Sequence, residues 1–138
     1  MRHEASFLRD ILTGSRKIEA ITAATSEGSF LRDEVLPAAV LHHLMVIGEA
    51  INRLSLELRE RHPEVPWRQI VAVRHRIVHA YFDLDWQILW TAAMDDIPQL
   101  RRHHGGLRLA AGASSGVGRI RAHDINVGNQ AARERLSQ

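Results

Sequence analysis

Apolar residues recur every three to four positions over most of the first hundred residues, a period that predicts helices. The first predicted helix runs from about His3 to Thr25, with Leu8, Leu12, Ser15, Ile18 and Thr22 on one stripe. The second spans about Asp33 to Glu60, where Leu36, Val40, Leu44, Ile47, Ile51, Leu54 and Leu58 keep the same spacing. Pro37 falls in its first turn, where a missing N–H is tolerated. His62-Pro63-Glu64-Val65-Pro66 reads as a stiff connector, and Pro66 can open a third helix over about Trp67 to Tyr81. Asp85 is placed to cap a fourth, with Trp86, Leu89, Ala93, Ile97 and Leu100 as its buried stripe. No clean period-2 run and no Asn-Gly or Asp-Gly turn marks a strand or hairpin. The expected fold is all-α, an antiparallel bundle of four to five helices with short loops.

From His103 the pattern stops. Six of the nine glycines (positions 105, 106, 112, 116, 118 and 128) and none of the seven aromatics lie beyond it. A stretch of that kind buries little. The expected division is a helical domain over 1–102 and a flexible Gly- and Arg-containing extension over 103–138, with a weak terminal helix near Gln130 to Leu136. Charge follows the same division. Residues 1–102 carry 13 basic and 14 acidic side chains, whereas 103–138 carry 5 basic and 2 acidic. The net basicity therefore belongs to the extension, which would add a weak, salt-sensitive attraction to RNA phosphates. Seventeen of the 18 basic residues are Arg, a bias too general to mark a site.

The 138 residues fit one domain. The absence of Cys excludes disulfides, thiolate metal sites and a Cys nucleophile. Apolar runs such as Leu44 to Ile47 are far too short to span a bilayer. Met1-Arg2-His3-Glu4-Ala5 mixes charges rather than opening an apolar signal stretch. The expectation is a soluble cytoplasmic chain.

Chemistry concentrates in Val73-Arg74-His75-Arg76-Ile77-Val78-His79-Ala80-Tyr81, which holds two Arg, two His and the only Tyr. At about 100° per residue, Arg74 and Tyr81 share one stripe and His75 and His79 another, roughly 120° away. One ideal helix does not converge all four on one atom. Either the helix ends near His79, or a second copy of the chain completes the site, as a two-fold dimer would by setting the patch opposite itself. Arg offers a permanently charged fork for a phosphodiester, and His moves protons near neutral pH. Together they suit cleavage of RNA by its own 2′-OH, with Arg stabilising charge on the phosphoryl oxygens and no metal required. The bland alternative is a set of solvated or hydrogen-bonded side chains, Tyr81 being a half-buried ring. His75 and His79 at i, i+4 also have metal-ligand spacing, but no Glu joins them in the His-Glu-x-x-His manner. His42-His43 reads as helix surface. Gly48 inside a helix costs ~1 kcal/mol relative to Ala, so a close helix crossing is its expected reason, with Glu49 pairing an Arg in the bundle or interface.

Arg74-x4-His79-x-Tyr81 resembles the Arg-x4-His-x-Tyr signature of the HepT-like toxins, within the HEPN superfamily of small α-helical ribonucleases. Phe30-Leu31-Arg32-Asp33 resembles that family's loop into its second helix. Ile47-Gly48-Glu49-Ala50 matches its Ile-Gly-Glu-Ala segment. Leu58 through Trp67 resembles its stretch ending in Pro-Trp, and Trp90 with Asp96-Ile97-Pro98-Gln99-Leu100 resembles its last helix. The ordered set covers about residues 4–102. The resemblance implies a HEPN-like bundle and the toxin of a type VII toxin–antitoxin system: a homodimeric, metal-independent endoribonuclease needing no cofactor. Its implied partner is an MntA-like minimal nucleotidyltransferase antitoxin that silences it by transferring AMP from ATP to the motif tyrosine. Carried over by position, Arg74 and His79 are the catalytic pair and Tyr81 the modified residue. His75 and Arg76 are supporting, phosphate-orienting residues. His75 stands where the family most often has Asn, which leaves open whether it shares the proton work. The competing reading is a non-catalytic HEPN docking partner of a nucleotidyltransferase.

Overall fold

The computed structural model describes residues 3–107, and every regular element within them is helical. The helices are α1 (Glu4–Ala23), α2 (Glu27–Arg32), α3 (Leu36–Arg53), α4 (Leu56–Arg61), α5 (Trp67–His79) and α6 (Trp86–Thr91). A 3₁₀ turn, Tyr81–Asp83, precedes α6. Beyond Thr91 the chain continues through a π-helical stretch, Ala92–Asp96, into a helical run over 97–107.

The long helices share one core. Leu8, Ile11 and Ile18 of α1 meet Val40, Leu44, Ile47 and Ile51 of α3, and α3 in turn covers Ile70, Val73 and Ile77 of α5. Leu89, Ile97, Leu100 and Leu107 close the core from the last helix, and Phe30 from α2, its ring 5.1 Å from that of Trp90. Burying each Leu, Ile or Phe contributes about 1.5–3 kcal/mol before ordering costs. Gly14 lets α1 approach α3: a Cβ there would lie 2.9 Å from Ile47 Cγ1.

The all-α class is as expected, but the bundle has more pieces. The stretch read as one helix over 33–60 is two, broken at Leu54-Ser55. Ser55 caps α4 by accepting from the Leu58 N–H, while its own N–H donates to Glu4 Oε1 of α1 at 2.6 Å. Phe30-Leu31-Arg32, expected as loop, ends the short helix α2, which Ser26 caps through the Ser29 N–H. Asp33 Oδ1 then accepts from the N–H groups of Val35 and Leu36 at the head of α3, and these bonds hold its carboxyl below the usual pKa. Ile11 and Gly14 join the buried face of α1, while Leu12 and Thr22 are only partly covered. Asp85 does cap α6, accepting from the Gln87 N–H.

The last helix also passes the compositional break at 103. His104 and Leu107 are buried, and His104 Nε2 donates to the Leu8 carbonyl at 2.7 Å. The rest of the extension, with its expected terminal helix, lies outside the described residues. Among the described residues no helix is long and apolar enough to cross a membrane.

Candidate active site on helix α5

Helix α5 is fixed at its start and open at its end. The Trp67 indole N–H donates to the carbonyls of Arg59 (3.1 Å) and His62 (2.9 Å), tying the first turn to α4 and the connector. Pro66 precedes that turn, and Ile70, Val73 and Ile77 seal the inner face. The helix stops at His79. Ala80, with φ −133° and ψ 34°, leaves helical geometry, so Tyr81 sits in the 3₁₀ turn rather than on the final turn of α5.

Arg74 lies on the side facing α3. Its guanidinium reaches Glu49 Oε2 at 2.9 Å, and Glu49 Oε1 also takes Arg53 Nε at 3.1 Å. The Arg74 side chain is only 28% exposed, and its Nε is buried without a hydrogen-bond partner among the described residues. Its aliphatic stem crosses α3 at Gly48: a Cβ on Gly48 would lie 2.6 Å from Arg74 Cβ and 2.7 Å from its Cδ. No side chain fits there without separating the helices. The expected close crossing at Gly48 and Arg partner for Glu49 are therefore both present, and they converge on Arg74. The guanidinium borders a cleft of about 860 Å³ shared with Phe7, Asp10, Met45, Val46, Ala50 and Arg53.

His75 and His79 occupy another side. Both are exposed, with ring centroids 4.2 Å apart. His75 and Arg76 line a separate depression of about 680 Å³ with Arg59, Trp67, Arg68, Val71 and Ala72. The structure thus joins His75 with His79 and puts His75 and Arg76 on one depression. Among the described residues, no hydrogen bond, ion pair or ring contact joins Arg74 to His79 or to Tyr81. Tyr81 is 54% exposed and Phe82 is 96% exposed, their rings edge-on at 5.5 Å. Val78, beside them, is 47% exposed.

Three lining residues of the depression escaped the sequence reading as a group: Arg59, Arg68 and Trp67. Arg68, Ala72, His75 and His79 fall at helical spacing on one stripe, a signal visible only after asking which face of α5 is left uncovered. Among the described residues no three His, Asp or Glu side chains gather as a metal site.

Comparison with known proteins agrees with the motif. The family described as "Ribonuclease HepT-like" matches residues 11–104. A Thermococcus cleftensis protein named "Probable ribonuclease HepT" is 35% identical over 107 residues, covering 78% of this chain and 97% of its own. An RNase-named protein of Methanocaldococcus jannaschii is 31% identical over 101 residues, 73% of this chain and 93% of its own. Another RNase-named relative, from Caldanaerobacter subterraneus, is 36% identical over 85 residues, 62% of this chain and 75% of its own. No solved structure gives a significant match. With a family match over most of its length and two relatives covered over more than nine-tenths of theirs, the chain belongs to the HepT-like ribonuclease family.

Proposed function

We propose that the chain is an endoribonuclease that cuts RNA at a 2′-OH, with Arg74 and His79 as its working groups, and that it serves as the toxin of a type VII toxin–antitoxin pair. The reading is supported by one observation above the others: of the two motif side chains, one is clamped against the neighbouring helix and the other is open to solvent. Arg74 is held in place by Glu49 and Gly48, and His79 stands in solvent at the end of α5. A base removes the 2′-OH proton, and the 2′ oxygen attacks phosphorus. The bond to the 5′ oxygen breaks, and that oxygen takes up a proton. The products are a 2′,3′-cyclic phosphate and a 5′-OH. The guanidinium stabilises charge on the phosphoryl oxygens, and proton transfer by an imidazole is worth ~10²–10⁴ in rate.

Arg74 and His79 stand on different sides of α5 within one chain. A homodimer that apposes two α5 helices brings one copy's Arg side near the other's His side, and the exposed Val78 and Phe82 supply apolar surface for that contact. Tyr81 is exposed enough to accept AMP from a nucleotidyltransferase antitoxin of the MntA-like kind. Its phenol oxygen attacks the α-phosphorus of ATP and pyrophosphate leaves. Each AMP then adds negative charge and bulk beside a site built for RNA phosphate.

The test is cleavage of single-stranded RNA by the purified chain in EDTA. Wild type is expected to leave 2′,3′-cyclic ends, and His79→Ala and Arg74→Ala to lose activity. A strict need for added metal overturns the mechanism. Binding of a nucleotidyltransferase by an inactive chain with unmodified Tyr81 identifies a docking partner instead. After co-expression with an adjacent nucleotidyltransferase, AMP mass increments on Tyr81 that vanish in Tyr81→Phe support the silencing role; increments elsewhere remove it.

A further inference from the structure

From Glu64 to Asp83 the chain contains no carboxylate between those two residues, yet that interval includes all of α5 with Arg68, Arg74, Arg76, His75 and His79. Arg74 is turned to α3 and neutralised by Glu49. The others are not. Arg68, Ala72, His75 and His79 follow one another at i+4, i+7 and i+11, within roughly 40° of a common line along the helix. From Arg68 to His79 the line is about 16 Å long at 1.5 Å per residue. All four residues are exposed, as is Arg76. Among the described residues neither Arg68, Arg76 nor Arg59 takes part in an ion pair. The first three residues of the line border the 680 Å³ depression, whose lining also includes the apolar Trp67 and Val71, Arg76, and Arg59 of α4.

We propose that this face is the track along which the RNA strand lies: a nucleotide next to the cleaved linkage sits in the depression, and Arg68, Arg59 and Arg76 hold its flanking phosphates. The assignment rests on the ribonuclease reading and extends it to where the strand runs. Three features fix the occupant as a polyanion with flat apolar faces. Among the described residues that line the depression, Arg59, Arg68 and Arg76 are cationic and none is an acid. The lining includes apolar Trp67, Val71 and Ala72, and the depression is of the size that takes a small planar group. The track begins at His79 and shares the His75–His79 ring pair, so a strand on it arrives at the proton-transfer end of the site. Arg guanidinium groups serve phosphate and base faces alike.

The experiment measures equilibrium binding of the full-length chain to a single-stranded oligonucleotide with 2′-O-methyl riboses, which lack the attacking hydroxyl and stay intact. Arg68→Gln is exposed and leaves the core untouched; Arg59→Gln is its companion. Arg16→Gln, an exposed arginine on α1, removes the same charge elsewhere. The expected result is a roughly tenfold weaker Kd for Arg68→Gln, with the slope of log affinity on log salt reduced by about 0.7 for the lost phosphate contact. Arg16→Gln should stay within twofold of wild type. Equal effects of Arg68→Gln and Arg16→Gln overturn the track. If wild type still cleaves RNA in EDTA under that outcome, the ribonuclease reading survives and only the path of the strand is wrong; if wild type neither binds nor cleaves, that reading falls with it.

Discussion

The two polar sides of α5 are built on opposite plans. On the side of α3, Arg74 is crowded and paired, its stem pressed on Gly48 and its guanidinium held by Glu49. On the other side, Arg68, His75, Arg76 and His79 stand open to solvent and, among the described residues, enter no ion pair. The difference suits a division of labour: a group that stabilises charge at one phosphoryl oxygen has to be positioned before the reaction, whereas a surface that admits a flexible polyanion has to be unoccupied and cationic. In the proposed reading one helix serves both demands, because its inner stripe, Ile70, Val73 and Ile77, already secures it to the core.

Breaking the crowded side should give the largest effect. In Gly48→Ala the new Cβ meets the root of Arg74, at 2.6 Å from its Cβ and 3.0 Å from its Cγ, where no rotamer change gives relief. The helices must part. Overpacking of this kind costs about 1–3 kcal/mol, set against ~1 kcal/mol gained in helix propensity. A displacement of even ~1 Å at a catalytic group can cost ~10²-fold in rate. The expected outcome is a lower Tm together with a cleavage loss near that of Arg74→Ala. Gly14→Ala meets the Ile47 side chain at 2.9 Å instead, and that side chain can yield; it should lose less stability and keep most of its activity. If the two variants behave alike, Gly48 has no special tie to Arg74.

Glu49→Gln tests the charge without the crowding. The Glu49–Arg74 pair is partly exposed, so stability should fall by no more than about 1 kcal/mol. Cleavage should fall by about tenfold, equivalent to ~1.4 kcal/mol of transition-state stabilisation, because Arg74 loses the anion that aims it. Arg53→Gln, which removes the competing cation on the same carboxylate, should change cleavage far less. Equal losses would mean that Glu49 organises the helix surface rather than Arg74.

How far this contrast could be read beforehand depends on what each part needs. The all-α class, α5 and its motif, the Asp85 cap and the close approach at Gly48 were legible, since each is a local pattern of period, cap or small residue. The break at Leu54-Ser55 was not, because the apolar period runs through it to Leu58; what ends α3 there includes a carboxylate from α1, Glu4, fifty-one positions away. Helix α2 is six residues long, too short to show a period. The continuation to Leu107 was hidden because the glycine-rich composition already begins at Gly105 and Gly106, while His104 bonds the Leu8 carbonyl, ninety-six positions away. At the site, residue types were legible and their allocation to two sides only in part: the spacing separated Arg74 from the histidines, but Arg59 joins their depression through the fold alone.

On the open side, Ala72→Glu sharpens the contrast by placing one negative charge in the lining of the depression, where Ala72 is exposed and nothing has to move. A like charge near a bound phosphate is worth ~1 kcal/mol in well-screened surroundings, so RNA binding should weaken by about fivefold at low salt and recover toward wild type as salt rises. Ala72→Gln, of the same shape, is the control. Matching losses for Glu and Gln would show that the depression responds to bulk and not to charge.

The smallest effect separates the site from the scaffold. His43 on α3 is partly covered, and its pKa is pushed below its ordinary value of 6.5 by burial first, then by His42 and Lys17. A histidine whose folded pKa is depressed takes up its proton more readily in the unfolded chain, so stability is lost as pH falls through about 6.5. Above that range the ring is neutral in both states and contributes nothing to the pH dependence. Thermal melts from pH 8 to pH 5 should therefore show a shallower fall in Tm for His43→Gln than for wild type, with the two curves converging in slope at the alkaline end. Parallel curves throughout would remove His43 as a source of acid sensitivity. The variant then serves the comparison on α5: any acid loss of cleavage that persists in His43→Gln does not come from protonation of this ring.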